Sequence, residues 1–256
     1  MRLDLYMVSA GMCKSRTKAK EHIECGRVKV NSKTVFKAGF DVDADDLVEF
    51  EEPGDEYVGR GAHKLVGALS EFGIDVTERK CIDVGASTGG FTDVLLRCGA
   101  KSVTCVDSGH GQLDERLVHD ARVTNIEGCN ARYMTADEVG DGYAIAVMDV
   151  SFISQTYIFP ALLPLIAEDG VLISLVKPQF ELDSASVGKG VVKNPTKRLD
   201  ALLRVYESLT PYGFCVLDAT ISKIKGGDGN TEYLFLIGRG EQLPHVKDKL
   251  KGLSRN

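Results

Sequence analysis

Two lysines, several carboxylates and one glycine-rich turn hold most of the chemistry this sequence could perform. The turn is Ile82-Asp83-Val84-Gly85-Ala86-Ser87-Thr88-Gly89-Gly90-Phe91-Thr92, which follows an apolar run and opens a helical one. Open α/β sheets bind small molecules at such a place, and glycines there let backbone approach a ligand without a β-carbon in the way. A dinucleotide fingerprint G-x-G-x-x-G counted from Gly85 needs glycine where Ser87 stands. A phosphate loop G-x-x-x-x-G-K-[ST] fits Gly85 and Gly90 but needs lysine where Phe91 stands. Asp107 follows the next apolar run, about 20 residues on, where a carboxylate can accept hydrogen bonds from ribose hydroxyls or cap the following turn. Asp149 closes another apolar run in M-D-V-S-F-I-S, and Lys177 closes a further one in L-V-K-P-Q-F-E. On adjacent parallel strands both side chains would reach the sheet edge that carries the glycine turn. A lysine there can take a proton from a hydroxyl if burial or a neighbouring cation lowers its own hold on one; otherwise it simply reaches solvent.

These residues need a scaffold. Candidate strands at Cys81–Val84, Ser102–Val106, Arg122–Asn125, Ala144–Asp149, Val171–Val176, Phe214–Thr220 and Tyr233–Ile237 alternate with helical stretches at 61–72, 90–98, about 113–119, 155–166 and 196–208. That alternation predicts a mostly parallel, doubly wound α/β sheet. Residues 1–52 read differently, as two short helices and a small sheet. Ser15 is placed to cap the second helix, Gly26 to end it, and Asn31-Ser32 to turn between strands. Residues 53–60 combine Pro53, Gly54 and charge without periodicity and read as a linker. A large domain then spans 61–240, with a tail over 241–256.

The glycine turn resembles the D-x-G-x-x-x-G-G-F-T loop of S-adenosylmethionine-dependent methyltransferases, whose cofactor has no phosphates. The resemblance implies that Asp83, Gly85, Ala86, Ser87, Thr88, Gly89, Gly90, Phe91, Asp107, Asn130 and Asp149 contact that cofactor, with Asn130 on the adenine side. The whole chain resembles the TlyA family, often labelled hemolysin A, whose members are rRNA 2′-O-methyltransferases. Its catalytic half is similar to the wider FtsJ/RrmJ group, which carries a Lys-Asp-Lys-Glu tetrad. The matching positions are Lys64 in Y-V-G-R-G-A-H-K-L, Asp149, Lys177, and Glu232 in G-N-T-E-Y-L. The resemblance implies Lys177 as the base, Asp149 between lysine and cofactor, Lys64 on the target nucleotide and Glu232 orienting the lysines, with no metal. It also implies a Rossmann-like seven-stranded fold that methylates cytidine ribose in rRNA. A base-methylating N/D-P-P-[YF] motif is replaced here by D-V-S-F.

The N-terminal part resembles the S-four RNA-binding domain through Arg2-Leu3-Asp4, Ser15-Arg16, Ala19, Ile23, Gly26, Val28 and Val30-Asn31. Arg2, Arg16, Lys18, Lys20, Arg27 and Lys29 are then the expected phosphate contacts. The net charge of −6 hides this basic head, because Asp41, Asp43, Asp45, Asp46, Glu49, Glu51, Glu52, Asp55 and Glu56 follow it directly. Few aromatics lie there, which favours folded RNA over single strands. The seven cysteines include no C-x-x-C pair, so reduced thiols are expected in place of zinc ligands or disulfides. No apolar run approaches the roughly 18 residues of a membrane helix, and no signal core follows Met1. The sequence therefore predicts a cytoplasmic enzyme acting on ribosomal subunits, with no DNA or membrane partner. The alternatives are a membrane-active hemolysin and a non-catalytic ribosome-assembly factor.

Overall fold

The computed structural model describes residues 1–24, 26–43, 45–50, 57–183, 187, 190–226 and 229–255. The chain divides into two compact units, Met1–Glu56 and Tyr57–Asn256.

In the first unit, helices α1 (Leu3–Ser9) and α2 (Arg16–Glu24) precede strands β1 (Val28–Val30), β2 (Lys33–Thr34) and β3 (Val48–Phe50). The strands pair antiparallel in the order β2-β1-β3. Ser15 Oγ accepts from the Lys18 amide at 3.3 Å, which satisfies one of the donors left open at the start of α2. Asn31 and Ser32 both adopt positive φ, +51° and +64°, as a two-residue turn matching the strand twist requires. Leu3, Met7, Ala19, Ile23, Val28 and Val30 are buried together and form this unit's own core.

The second unit begins with α3 (Ala62–Phe72), β4 (Lys80–Val84), α4 (Gly90–Arg97), β5 (Ser102–Val106), α5 (Glu115–Val118), β6 (Val123–Ile126), α6 (Ala136–Val139) and β7 (Tyr143–Met148). It continues with α7 (Phe159–Leu162), β8 (Ile166–Val176), α8 (Pro178–Glu181), α9 (Pro195–Ser208), β9 (Phe214–Ile221), β10 (Tyr233–Arg239) and α10 (Pro244–Leu253). The sheet runs β6-β5-β4-β7-β8-β10-β9, parallel from β6 to β8, with β10 antiparallel to both its neighbours.

Its inner strands are apolar on both faces because both faces are covered. Ile82, Val84, Ala146 and Met148 pack on one side with Leu202, Val205, Val246 and Leu250 of α9 and α10. Cys81, Cys105, Ile145 and Val147 pack on the other with Leu65, Leu69, Val94 and Leu95 of α3 and α4.

Three expectations change here. The helix expected over 155–166 is a short helical turn, α7, between two 3-10 turns, because Pro160 and Pro164 remove amide donors inside it. The stretch expected as a tail contains α10, which starts on Pro244 and buries Val246 and Leu250. Of the stretch read as a linker, 53–56 lie outside the described residues, whereas 57–60 fold onto the larger unit. There the buried Val58 amide donates to Asp93 Oδ2 at 2.9 Å.

Candidate active site

Parallel strands β4, β5 and β7 deliver Asp83, Asp107 and Asp149 to one sheet edge, and β8 delivers Lys177 beside them. A cavity of about 230 Å³ opens there, lined by Gly59–Gly61, Asp83, Gly85–Thr88, Gly90, Phe91, Asp149, Ser151 and Lys177. A second cavity, of about 390 Å³, shares Gly85, Ser87, Asp149 and Ser151 with it and extends past Asp107, Cys129, Asn130, Phe152 and Ile158. The expected cofactor residues therefore surround two continuous hollows, with one exception. Gly89 faces α5, where a Cβ would sit 2.2 Å from Leu117 Cδ1.

The reason for glycine also differs from the one expected. At Gly85 (φ +83°) a Cβ would meet the Asp149 carbonyl oxygen at 2.5 Å. The glycine thus allows the turn to lie against the β7 backbone, and not only against a ligand.

Asp83 is the most unusual group at the site. It is 1% exposed. Thr92 Oγ1 donates to its Oδ2 at 2.7 Å, while the buried Oδ1 has no hydrogen-bond partner among the described residues. Burial pushes this carboxyl up to about 7, the Thr92 hydroxyl opposes the rise, and the charges of Asp149 and Asp107 add to it. A buried acceptor without a donor, aimed at a cavity it lines, suits a ligand that brings a cationic N–H donor.

Asp107 has both readings at once. Its Oδ1 accepts from the Gly109 amide at 2.8 Å, capping the turn, and its Oδ2 accepts from the Ser87 amide at 2.8 Å, tying down the glycine loop. Each oxygen keeps a further lone pair for a hydroxyl. Asn130 is exposed and accepts from the Arg132 amide at 3.1 Å.

The four tetrad positions form two lysine–carboxylate pairs, with Glu232 meeting Lys64 and not Lys177. Lys177 Nζ lies 2.6 Å from Asp149 Oδ1 as an ion pair, outside hydrogen-bonding angles, and donates to Ser151 Oγ at 2.8 Å. Lys64 Nζ donates to Glu232 Oε2 at 2.6 Å, with side-chain exposures of only 11% and 3%. In the β8–β10 register Val176 faces Tyr233, so the next residues, Lys177 and Glu232, leave the sheet at the same end. Lys64 and Glu232 do not line either cavity.

Four features escaped the sequence reading. Gly59–Gly61 line the first cavity although 57–60 has linker composition. Ser151 supplies an oxygen to Lys177. Phe152 is 92% exposed with φ +64°, its ring 5.1 Å from that of Phe180. Glu181 is buried behind them. Signals existed for the second and third: a hydroxyl and an aromatic sit between two residues already chosen for chemistry.

In the first unit Asp4, 4% exposed, holds two of the expected RNA contacts. Arg2 Nε donates to its Oδ1 at 3.0 Å and Arg16 to its Oδ2 at 3.0 Å. The bond from Arg2, followed by that from Arg16, holds this carboxyl well below the usual carboxylate range. Arg2, Arg16, Lys20 and Lys29 are exposed, and Lys18 and Arg27 are half-buried. Among the described residues, no group of three or more His, Cys, Asp or Glu could hold a metal ion, and no helix is long and apolar enough to cross a membrane.

Comparison with known proteins agrees with this architecture. The FtsJ-like methyltransferase model matches residues 57–239, and the S4 domain model matches residues 1–48. The 16S/23S rRNA (cytidine-2′-O)-methyltransferase TlyA of Mycobacterium tuberculosis is 40% identical over 92% of this chain and 89% of its own. Hemolysin A of Brachyspira hyodysenteriae is 40% identical over 93% of this chain and 100% of its own. A solved structure from Streptococcus thermophilus described as a hemolysin has a TM-score of 0.79 and 36% identity, covering 99% of this chain and 94% of its own. The chain therefore belongs to the FtsJ-like methyltransferases, in the TlyA/hemolysin A group that joins such a domain to an S4 domain.

Proposed function

We propose that this protein methylates the 2′-hydroxyl of cytidine in ribosomal RNA, using S-adenosylmethionine, in the cytoplasm. The observation that carries the reading is the ion pair of Lys177 with Asp149 on the wall of a cavity built from the glycine loop. The rRNA cytidine on which the Mycobacterium tuberculosis relative acts points the same way.

When bound, S-adenosylmethionine would supply a methyl group on a sulfonium centre. The residues present fit it. Asp83 Oδ1 awaits a cationic donor, Asp107 has lone pairs for ribose hydroxyls, and the hollow past Asn130 and Ile158 suits a flat heterocycle. Ser151 Oγ accepts from Lys177 Nζ and Asp149 lies against it as an ion pair, which holds the nitrogen on the wall of the first cavity. In its amine form Lys177 would take the proton from the ribose hydroxyl as that oxygen displaces the sulfur from the methyl carbon, the neutral thioether being the leaving group. Lys64 and Glu232 neutralise each other nearby and fix the end of β10. Phe152 presents an exposed ring on which a base can stack, and such stacking is worth about 1–3 kcal/mol.

Arg2, Arg16, Lys18, Lys20, Arg27 and Lys29 in the first unit add phosphate contacts. Carrying both units on one chain raises the effective concentration of the catalytic one at bound RNA.

The test uses labelled S-adenosylmethionine with ribosomal subunits from a strain lacking the enzyme, beside Lys177→Ala. Digestion should release labelled 2′-O-methylcytidine, and the variant should release none. Label in a methylated base would overturn the ribose reading. Leakage from liposomes, with no label in RNA, would favour the hemolysin reading instead.

A further inference from the structure

Glu181 ends the K-P-Q-F-E run and has no part in the chemistry above. Its side chain is 1% exposed, and a carboxylate so placed needs donors to replace its lost hydration. Those donors come from the segment on the other side of the site. Ser154 Oγ donates to Oε2 at 2.5 Å, and the Gln155 amide donates to Oε1 at 3.0 Å. Gln155 is fixed in turn on β8, where its Nε2 donates to the Leu175 carbonyl at 2.6 Å and its Oε1 accepts from Ser174 Oγ at 2.6 Å. On its own side, Glu181 is anchored to α9, with Arg204 donating to its carbonyl at 2.9 Å. Burial pushes its carboxyl up, and Ser154, Gln155 and Arg204 pull it back.

Between these anchors runs the loop from Asp149 to Ser154. Its first end is held by the Asp149 amide, which donates to the Val84 carbonyl at 3.0 Å. Its middle holds Ser151, the oxygen partner of Lys177, and Phe152 in the left-handed region. A non-glycine residue there is strained and persists only where its surroundings fix it. Phe152 is almost wholly exposed, so its own packing supplies little of that restraint. Val150 and Ile153 pack against the core, Ser151 is bonded to Lys177, and at the second end Glu181 joins the Gln155 side chain in holding Ser154 and Gln155.

We propose that Glu181 is a positioning residue, whose carboxylate clamps Ser154 and Gln155 so that Ser151 and Phe152 stay set beside Lys177. What the loop is set for rests on the methyl-transfer reading, whereas the clamp itself does not. The loop forms part of the wall of the second cavity, whereas Glu181 itself lines neither cavity, so its loss should act on turnover more than on cofactor affinity.

The chain contains no tryptophan, so Phe152→Trp places a single emitter on the loop. In that background Glu181→Ala should lower the amplitude of the slow component of the anisotropy decay in favour of a fast, local one. Glu181→Gln should keep the slow amplitude, because the amide retains an acceptor for Gln155 and can donate to the Ser154 hydroxyl. With Phe152 restored, Glu181→Ala should lower kcat about 10- to 100-fold, the size expected of a misplacement near 1 Å. Calorimetric affinity for S-adenosylmethionine should fall by much less than kcat does, and Glu181→Gln should recover most of kcat. If Glu181→Ala does not fold, Ser154→Ala removes one strand of the same clamp from the loop side and should loosen the emitter likewise.

An unchanged anisotropy decay would overturn the proposal. So would a loss of turnover that tracks a loss of cofactor affinity and is not recovered by glutamine. If the wild-type protein methylates no ribosomal RNA, the functional reading fails, while the anisotropy experiment still decides the clamp.

Discussion

Asp83 gives a prediction whose size can be worked from its surroundings. In the unfolded chain its carboxyl ionises near the ordinary value of about 4. In the folded protein burial pushes it up to about 7. Between those values the folded state keeps a proton that the unfolded state has released. Stability therefore falls as pH rises through this window, and the full cost stands above about pH 7. From pH 5 to pH 8 only the roughly two pH units below 7 contribute, and at about 1.36 kcal/mol each they amount to about 3 kcal/mol.

Asp83→Asn keeps the shape and an acceptor for the Thr92 hydroxyl but cannot ionise. Urea denaturation of both proteins at pH 5 and pH 8 isolates the effect, since their other titrating groups are shared. The variant should gain about 3 kcal/mol on the wild type between the two pH values. A gap that stays constant with pH to within about 0.5 kcal/mol would refute the assignment of a buried carboxyl with one oxygen unpartnered. If its missing partner is a cationic donor of the cofactor, S-adenosylmethionine should stabilise the wild type more at pH 8 than at pH 5. The asparagine variant should show no such difference.

Three further outcomes are expected. Phe152→Ala should raise the KM for RNA about tenfold or more, from the loss of one stacking contact, as read in initial-rate assays. Arg2→Ala and Arg16→Ala should each lower the slope of log affinity against log salt by about one in filter-binding assays with ribosomal RNA, as expected for single phosphate contacts. Glu232→Ala should cost about 3–5 kcal/mol in thermal or urea unfolding, because Lys64 is left buried without a counter-charge. The double variant Lys64→Met, Glu232→Leu should recover most of that stability, yet stay inactive if the pair serves the reaction.

The sheet was legible because its strands are apolar on both faces and end in charged residues. Runs such as Ile82–Val84 and Leu172–Val176 mark strands by themselves, and Asp83, Asp107, Asp149 and Lys177 stand out at their carboxyl ends. Helix α10 was missed because only Val246 and Leu250 are buried in a lysine-rich segment, so its apolar stripe is narrow. The stretch 57–60 was misleading because Gly59 and Arg60 read as linker composition, whereas Val58 is buried against α4 and bonded to Asp93.

The sequence by itself determined the order of the elements, the sheet edge on which the carboxylates and lysines emerge, and the basic character of the first unit. Those follow from local periodicity and from the rule that a parallel strand delivers its last residue to one edge. Only the tertiary structure decided which carboxylate each lysine meets, how deeply Asp83 is buried and what restrains the loop bearing Ser151 and Phe152. Lys64 and Glu232 are 168 residues apart in the chain and 2.6 Å apart in space. No local pattern encodes such a distance, because it is set by how the whole sheet and its helices pack.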